Sequence, residues 1–402
     1  MAGIGPYATQ VAEHWAAERH AEVHVLAGMP HYPAWRTDPA YRGVWRTLDR
    51  RAGVLVHRRR HSVPVRQTAA RRALYEASIL AHGWLSPPRM GRPDAVVAQM
   101  PSLAGGLLAA RFARRHGAPF VPVVQDLMGA AAVQSGIDGG GRAAAAATAV
   151  ERQVLRSATL VGIIHESFRD RVRDLGVHAD RIRLVPNWSH VSRPTATRAQ
   201  TRARLGWAPG ETVLLHSGNM GLKQGLEVLV ETARTTPALR VVLMGDGSRR
   251  EHLRQLAAGV PNIDFLPPCD ADDFPDTLAA ADALVVTQLA SVLDMSVPSK
   301  LTSYFMAARP VIGSVADSGG TAEEIRRSDA GWLVPPENPA ALAAAAAELA
   351  ADPAAADTIG ARGYDYARTH LSQSAGLRRI SALLDEALAA HQPRTTPGGT
   401  AS

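Results

Sequence analysis

The sequence has very little cysteine and lysine, and it lacks any long hydrophobic run. Its 402 residues include one cysteine, Cys269, so no disulfide forms within the chain and a reducing compartment is expected. No run of about 18 apolar residues occurs, which argues against a membrane-spanning helix. The first twenty residues include Glu13 and Glu18 and no apolar block, so they do not read as a secretory signal. These absences predict a cytoplasmic location.

The scarcity of lysine leaves two positions to explain. Of the 44 Lys and Arg residues, only Lys223 and Lys300 are lysines. The Arg- and Ala-rich composition is typical of a GC-rich coding bias, under which two lysines could survive by chance. The alternative is that a compact ammonium is needed at both places, where a planar guanidinium does not fit. Composition alone leaves both explanations open.

The net charge of +7 calls for an anionic partner or surface. The sequence has no zinc-ligand spacing and no basic sheet motif with interleaved aromatics, so we expect no nucleic-acid partner. The segment Arg58–Leu85 leads from a cluster of arginines into an apolar helix that ends near Trp84. Such a segment suits peripheral attachment to the anionic inner face of a membrane. The alternative is a core-packed helix that follows a solvated basic strand end.

Short β-rich runs alternate with amphipathic helical patterns along the whole chain, which predicts parallel sheets in an α/β protein. The length and the polar, proline-containing linker at 189–200 predict two doubly wound domains. Ligands of such domains bind at the carboxyl ends of the sheets, here in a cleft between the two domains. The predicted segments are an N-terminal domain at 1–188, a C-terminal domain at 201–372, a helix at 373–391 packing back towards the N-terminal domain, and a disordered tail at 392–402.

The stretch "HSGNMGLKQGLE" follows a predicted strand and opens a predicted helix. Gly218 and Gly221 allow a close backbone approach, and a helix N-terminus attracts anions. Lys223 lies in the predicted first turn, where the helix dipole disfavours a cation. We expect it to face a phosphate, although the spacing is not that of a P-loop. The alternative is a structural glycine turn with a solvent-exposed lysine.

The stretch "VPSKLTSYFMAARPVIGS" places Ser299 and Lys300 at another predicted helix start. Lys300 is again at the end of the dipole that disfavours a cation, which favours a functional role for both lysines. The turn "MGDGSRREHL" by itself is interpreted as structural. In "DSGGTAEEI", Gly320 precedes Glu323 at a helix start, where acidic residues are favourable without any ligand.

Two stretches of the first half carry further candidates. "VVQDLMG" places Gln125 and Asp126 at the end of a strand on the side of the cleft, although a lone aspartate there is often a helix cap. "GMPHYPAW" brings His31, Tyr32 and Trp35 into one loop. These aromatic faces would either hold a sugar ring or close over their own domain.

Taken together, these stretches resemble glycosyltransferase family 4, the retaining enzymes of the GT-B fold. The similarity is greatest to the colanic-acid and O-antigen type, which builds bacterial surface polysaccharide. The resemblance covers almost the whole chain. Each motif alone is weakly specific, but the order in which the motifs occur is the order of the family. The motifs are, in order, "GIGPYATQVAEHW", "PHYPAW", "VVQDL", "VPNW", "SGNMGLKQGLE", "GDGSRREHL", "DALVVTQ", "VPSKLTSYFMAARPVI" and "GGTAEE…AGWLVPPENPAAL".

The resemblance implies a role for each matching position. It implies that Lys223 and Lys300 act on the donor diphosphate, and that Gln125 and Asp126 complete the catalytic set. The candidates for acceptor binding are the aromatic residues His31, Tyr32 and Trp35, in an acceptor-side domain at 1–188 that faces a nucleotide-sugar domain at 201–372. The donor-binding positions that it implies are Gly3, Gly5, Gly218, Asn219, Gly245, Asp246, Gly247, Ser299, Gly320 and Glu323.

The sequence departs from the family in its acidic residues. The paired glutamates of the family fall here on about Met295 and Ser303, and the nearby charges are Asp294 and Lys300. Gln125 replaces a histidine that many members carry. In this mechanism class the leaving diphosphate can accept the proton of the acceptor, so catalysis would rest on electrostatic stabilisation by the two lysines and by helix N-termini. No metal or other cofactor is expected, since "DADD" at 270–273 is interpreted as a helix cap.

The expected function is a retaining, metal-independent glycosyltransferase of bacterial surface-polysaccharide biosynthesis. It would move a sugar from a nucleoside-diphosphate donor to a glycan or polyprenyl-diphosphate-linked acceptor at the inner membrane face. The alternative is a non-catalytic or truncated relative that binds a nucleotide sugar. The loop with Gly3 and Gly5 lacks the strand that such a loop follows, and in a doubly wound sheet that strand is central. We therefore expect the natural start roughly 10–20 residues upstream.

Overall fold

A computed structural model of the chain describes residues 4–32, 34–64, 68–127, 140–292 and 300–391. The chain divides into two compact units. The first consists of Met1–Pro186 together with Leu377–Ser402, and the second of Asn187–Gly376. Each unit has its own hydrophobic core. The predicted tail at 392–402 lies outside the described residues.

The first unit alternates helices and strands, as the periodicity predicts. Buried runs such as Phe120–Val124, in which every residue is buried, form its inner strands. Its elements are α1 (Gly5–Glu18), β1 (His24–Gly28), β2 (Arg46–Arg51), β3 (Val54–Arg59), α2 (Ala69–Leu85), β4 (Val96–Met100), α3 (Leu103–His116), β5 (Phe120–Val124), α4 (Gly140–Arg156), β6 (Val161–Ile163), α5 (Arg169–Asp174) and β7 (Ile182–Leu184).

The strand β2 was not predicted, because its residues are mostly charged. It pairs antiparallel with β3, and Ala52 and Gly53 between them have positive φ angles of 46° and 81°. Two residues of this conformation form the turn that joins twisted strands in a tight hairpin. The turn, and not the hydrophobic pattern, therefore makes β2 a strand.

The strands of the first unit lie in two sheets, with the orders β1-β3-β2 and β4-β5-β6-β7. Within the described residues, β1 and β4 are therefore edge strands. The expectation of a strand before α1 stays a prediction.

The second unit has one continuous sheet of six parallel strands, in the order β10-β9-β8-β11-β12-β13. Here β8, the first strand of the unit, lies in the middle of the sheet. Helices cover both faces, as in a doubly wound fold. The elements are α6 (Arg198–Leu205), β8 (Thr212–Asn219), α7 (Glu227–Thr235), β9 (Leu239–Asp246), α8 (Arg250–Leu256), β10 (Ile263–Leu266), α9 (Phe274–Ala280), β11 (Ala283–Thr287), α10 (Lys300–Met306), β12 (Val311–Ser314), α11 (Gly320–Ser328), β13 (Gly331–Val334), α12 (Pro339–Ala351) and α13 (Pro353–His370).

The last helix, α14 (Gln373–His391), begins in the second unit, and from Leu377 onwards it belongs to the first. Trp15 Nε1 donates a hydrogen bond of 2.9 Å to Ser381 Oγ, and Arg19 forms an ion pair of 2.6 Å with Asp385. Leu383 packs near Gly162 of β6. The C-terminal helix thus completes the core of the first unit. None of the helices in the described part of the chain is long and apolar enough to cross a membrane.

Candidate functional site

Two glycine turns meet at the carboxyl ends of β8 and β9. Gly218 is paired in register with Gly245, and both have positive φ angles, of 118° and 140°. A Cβ atom on Gly245 would lie only 2.0 Å from Gly218 O, and one on Gly247 only 2.5 Å from Met220 O. Gly245 and Gly247 therefore allow the two turns to approach one another, which is the structural role that the sequence alone suggests for "GDG".

The backbone beyond these turns leaves Asn219 and Asp246 exposed. Asp246 Oδ1 accepts a hydrogen bond of 2.8 Å from the N–H of Gly247. The Met220 N–H bonds to Asp246 O, and the Arg249 N–H to Met220 O. The turns are thus held rigidly by their own hydrogen bonds, with Asn219 and Asp246 at their tips.

Lys223 lies close to this edge of the sheet, but not in the helix predicted for it. It lies in a short 3-10 turn, Leu222–Gln224, and α7 begins only at Glu227. Gly225, with a φ angle of 55°, separates the two. The prediction of a helical first turn for Lys223 is therefore wrong, because the left-handed glycine interrupts the helix. The side chain is exposed.

Lys300, at the start of α10, reaches the same sheet edge. Its Nζ atom lies 3.3 Å from Nε2 of His216, a fully buried residue of β8. A Cβ atom on Gly218 would be 3.8 Å from Lys300 Nζ. His216 Nδ1 lies 3.3 Å from Val285 O, and in the tautomer that donates from Nδ1 to this carbonyl, Nε2 accepts from the lysine. The sequence analysis did not identify His216 as part of a site.

Burial affects the charge of this pair. It lowers the pKa of Lys300 to about 7. Burial, and then the positive charge of Lys300, hold the pKa of His216 well below its usual value. Among the described residues, no carboxylate lies within ion-pair distance of Lys300 Nζ. The site thus holds a partly buried amine without a counter-charge, and a bound anion would favour its charged form.

Tyr304 fixes the strand end beneath this pair. Its ring is fully buried, and its hydroxyl oxygen accepts a hydrogen bond of 2.8 Å from the N–H of Ser217. Tyr304 belongs to the same helix as Lys300 and lies one turn further along it. The helix and the Gly218 turn are therefore held in a fixed relation.

The predicted acidic residue lies on α11, which begins at Gly320. Glu323 forms an ion pair of 2.7 Å with Arg327, one turn along the same helix. The neighbouring Glu324 is buried and accepts a hydrogen bond of 2.8 Å from Tyr366 Oη. Both carboxylates thus have partners within the second unit.

Several predicted positions fall outside the described residues, namely Gly3, Asp294, Met295 and Ser299. Gly5 is the first residue of α1, and a Cβ atom there would meet no described atom within 4 Å. The fold described here thus gives no steric reason for a glycine at this position.

In the first unit, Gln125 and Asp126 follow β5 at the carboxyl end of its sheet. Gln125 is 7% exposed, and its Nε2 donates to Gln99 Oε1 of β4 at 3.2 Å. Asp126 Oδ1 accepts a hydrogen bond of 2.8 Å from the N–H of Leu127. Gln99 thus orients Gln125, a contact that sequence reasoning missed because the two residues lie on separate strands.

The loop after β1 brings His31, Tyr32 and Trp35 together, as the sequence predicts. The ring centroids of His31 and Trp35 are 5.6 Å apart, and those of Tyr32 and Trp35 are 6.3 Å apart. His61 and Tyr75, which the sequence analysis did not select, extend this group of rings.

Some arginines of the basic segment Arg58–Leu85 bond within their own domain, and others are exposed to solvent. Arg58 forms an ion pair of 2.7 Å with Asp49, and buried Arg59 donates to the carbonyl of Ser86. These two arginines are therefore engaged within the domain. Arg60, Arg71 and Arg72 remain exposed. The described residues hold no group of three or more metal-ligating side chains.

Family comparisons agree with this arrangement. Residues 2–188 match the family described as "Glycosyl transferase 4-like domain", and residues 211–352 match "Glycosyl transferases group 1". The putative colanic acid biosynthesis glycosyl transferase WcaI of Escherichia coli (strain K12) is 31% identical over 317 residues, which is 75% of this chain and 77% of the relative.

Solved structures share the fold. Sucrose-phosphate synthase from Thermosynechococcus elongatus superimposes with a TM-score of 0.73 at 19% identity, over 97% of this chain and 94% of the other. Anabaena HepE, solved in complex with UDP and glucose, has a TM-score of 0.64 at 15% identity, over 96% of this chain and 97% of the other. At these identities the likeness shows a two-domain, Rossmann-like α/β architecture of the GT-B type. Together with the family matches and the identity to WcaI, it places this chain among the family 4 glycosyltransferases of the GT-B fold.

Proposed function

We propose that this glycosyltransferase is retaining and metal-independent, and that it uses a nucleoside-diphosphate sugar to extend a glycan or lipid-linked acceptor in bacterial surface-polysaccharide biosynthesis. The observation that carries the proposal is Lys300, a partly buried amine with no described carboxylate partner, next to the Gly218 turn. The similarity to WcaI, whose name refers to colanic acid, supports the acceptor class. The UDP in the HepE complex supports the donor class.

The proposed chemistry depends on charge at the leaving group. When the bond between the sugar C1 and the diphosphate oxygen breaks, negative charge develops on the diphosphate. The ammonium groups of Lys300 and Lys223, and the N–H groups of the Gly218 turn, would stabilise this charge, which is the role a metal plays in other transferases. Gln125 has no titratable group, so the acceptor proton would pass to the departing diphosphate oxygen as the new C1–O bond forms on the same face.

A donor panel tests the proposal directly. Purified protein is incubated with UDP-, GDP- and dTDP-sugars, and release of the nucleoside diphosphate is measured by liquid chromatography. We expect release with one donor class and a loss of about 10²–10³ in kcat for Lys300→Ala, as for other lost charge-stabilising donors. Arg254→Ala, an exposed change on α8, is the matched control.

Two further measurements separate the parts of the proposal. The anomeric configuration of the product, read by NMR, tests retention, and unchanged turnover in EDTA tests metal independence. Ser303 occupies the place of one family glutamate, which favours as second candidate a non-catalytic relative that binds the donor. Binding of the nucleotide sugar without any turnover would support that candidate. Full turnover by both Lys223→Ala and Lys300→Ala would contradict the assigned site.

We also propose that α2 attaches the protein to the anionic cytoplasmic face of a membrane. Beyond Arg72, the exposed positions of this helix form an uncharged apolar stripe, and Leu74 and Leu85 are 57% and 84% exposed. Arg60 stacks on exposed Trp45, and Arg111 on exposed Trp84 at 4.1 Å. Apolar side chains with a basic rim are the usual combination for binding at a lipid interface. The stripe consists of Ala73, Leu74, Ala77, Ala81, Trp84 and Leu85.

Vesicle flotation tests this attachment. We expect binding to mixed phosphatidylglycerol and phosphatidylcholine vesicles and much weaker binding to phosphatidylcholine alone. Arg60→Gln with Arg71→Gln should weaken binding by roughly thirtyfold, at about 1 kcal/mol for each charge. Leu74→Ser with Leu85→Ser should weaken it similarly, whereas Leu222→Ser, an exposed leucine of the second unit, should not. Equal binding by all variants would contradict the assignment to α2.

A further inference from the structure

Four aromatic rings form one cluster at the carboxyl end of the sheet that contains β1 and β3. His31 lies at its centre, with ring centroids 4.8 Å from His61, 5.6 Å from Trp35 and 5.6 Å from Tyr75. His61 and Tyr75 are 5.3 Å apart in an edge-to-face arrangement. The rings come from the loop after β1, the end of β3 and the helix α2, so that the cluster exists only in the folded unit.

His61 has an unused hydrogen-bond acceptor within this cluster. The residue is 8% exposed, and its Nδ1 lies 3.3 Å from Arg59 O. A carbonyl requires a donor, so the hydrogen is assigned to Nδ1 and Nε2 keeps its lone pair. Nε2 is buried and has no hydrogen-bond partner among the described residues. A buried acceptor without a donor is costly, and because Nε2 is shielded from solvent, a ligand hydroxyl would satisfy it by entering between the rings.

Gly28 makes the space that the His61 ring occupies. A Cβ atom on Gly28 would lie 2.6 Å from Cε1 and 2.9 Å from Nδ1 of His61. Gly28 is the last residue of β1 and pairs with Arg59 of β3. The imidazole of His61 can therefore lie over the end of β1 because Gly28 has no side chain.

The chemistry of the cluster selects for a neutral ligand with hydroxyl groups. His31 Nδ1 lies 2.9 Å from Met29 O, which leaves its Nε2 as a second acceptor. Arg72 stacks on the outer ring, Trp35, at 5.9 Å. Glu76, next to Tyr75 in α2, binds the N–H of Ala104 at the start of α3, and so does not serve the rings. Ring faces with a few fixed polar atoms are the usual lining of a small-molecule site.

We propose that these four rings bind a pyranose unit of the acceptor, and that His61 Nε2 accepts a hydrogen bond from one of its hydroxyl groups. The inference rests on the proposed function, since it names a substrate feature of the same enzyme. It adds His61 and Tyr75 to the loop residues His31 and Trp35, and it makes His61 the specificity-determining group. The aromatic faces would pack against the C–H faces of the sugar ring.

The test uses methyl glycosides of glucose, galactose and mannose as probes, detected by saturation-transfer NMR on the full chain. We expect at least one pyranoside to bind the wild-type protein through its ring protons. His61→Phe keeps a ring but removes Nε2, and it should weaken this binding by about fivefold to tenfold, as expected for one neutral hydrogen bond. His178→Phe, at an exposed histidine, is the matched control.

Two readouts separate this inference from a structural effect and from the proposed function. Gly28→Ala should displace the ring and reproduce the loss, whereas Gly91→Ala, with no atom in reach of its Cβ, should not. Hydrolysis of the donor by the wild-type protein without acceptor is measured alongside, so that failure of the proposed donor chemistry is seen independently of pyranoside binding. The inference is overturned if no pyranoside binds the wild type, or if His61→Phe and Gly28→Ala both bind the probe as the wild type does.

Discussion

The amine of Lys300 lies beside the imidazole of His216, and both groups are shielded from water at the end of β8. Removing an amine from water disfavours its charged form, and the neutral imidazole of His216 brings no negative charge to it. A diphosphate would supply the missing negative charge. In the protein without ligand, burial of the Lys300 ammonium without a counter-charge is unfavourable, and binding of an anion would remove this penalty.

Donor binding should therefore be coupled to proton uptake. The pKa of Lys300 is about 7 in the free protein and should rise when a diphosphate binds. Above pH 7 each binding event then takes up a proton, so the affinity for UDP should fall by up to about tenfold per pH unit. The last ionisation of the phosphate, at about pH 6, lies outside this window.

Isothermal titration of UDP between pH 7 and 9 measures this slope. Lys300→Arg is the sharp comparison, because a guanidinium stays charged and should flatten the profile. A flat profile for the wild type would show that Lys300 does not titrate on binding.

Ala308 carries conformational strain that glycine would remove. Its φ angle is 52°, in the left-handed region that disfavours a Cβ atom. Ala308→Gly should raise the free energy of unfolding of the second unit by about 0.5–1 kcal/mol, after the entropy cost of glycine. Urea denaturation measures the change. The neighbouring Ala307→Gly should instead destabilise by about 1 kcal/mol, because it removes a buried methyl group, and a gain of stability there would contradict the explanation.

At the scale of elements, β8 and β9 continue their pairing into the two glycine turns, which is why the candidate donor site has a rigid base. The turns of "SGN" and "GDG" lie in register, and Gly245 and Gly247 each remove a specific clash. By contrast, the glycine at the start of α1 removes none among the described atoms.

This difference yields a paired prediction. Gly245→Ala should destabilise the second unit by more than about 2 kcal/mol, because its Cβ would overlap Gly218 O and φ is positive. Gly5→Ala should leave the thermal unfolding temperature unchanged and, if the proposed function holds, lower donor turnover. Calorimetry and the release assay measure the two effects. A stable, fully active Gly245→Ala would contradict this account of the turn.

The sheet edges predict a pattern of amide exchange. In β1, Met29 N bonds to Arg59 O just beyond the strand, and alternate amides along the strand point away from β3. Those amides have no partner strand in the described residues, so they should exchange faster than their neighbours by hydrogen–deuterium exchange. The amides of β8, which is paired on both sides, should be uniformly protected. Uniform protection along β1 would show that another segment covers this edge.

At the scale of the whole molecule, two compact units share one chain, and α14 connects the end of the second to the core of the first. On this helix, Leu383 packs near Gly162 of β6, and Ser381 and Asp385 bond to α1. Unfolding need not follow a single two-state transition in such a protein.

The C-terminal helix should therefore contribute selectively to the first unit. Leu383→Ala, at a side chain that is 3% exposed, should lower the unfolding free energy of that unit by about 2–5 kcal/mol and leave the second unit unchanged. Scanning calorimetry with domain-resolved proteolysis measures this. Glu386→Ala on the same helix removes only a surface ion pair with Arg183 and should cost less than about 1 kcal/mol. Equal losses in both units would contradict the division.

The alternation of strands and helices, the two-domain α/β class and the family could be predicted from the sequence, because hydrophobic periodicity and glycine turns are local properties. The sequence also selected Lys223, Lys300 and the loop His31–Trp35. The strand β2 was not predicted from the sequence, because a hairpin turn and not hydrophobic periodicity forms it. The 3-10 turn that ends at Gly225 was predicted as a helix, because the pattern does not show that this glycine is left-handed. The folded chain was needed to show that His216 lies beside Lys300, Gln99 beside Gln125 and His61 beside His31. Each pair comes from separate elements, and only strand pairing and packing bring such residues within hydrogen-bond or ring-contact distance.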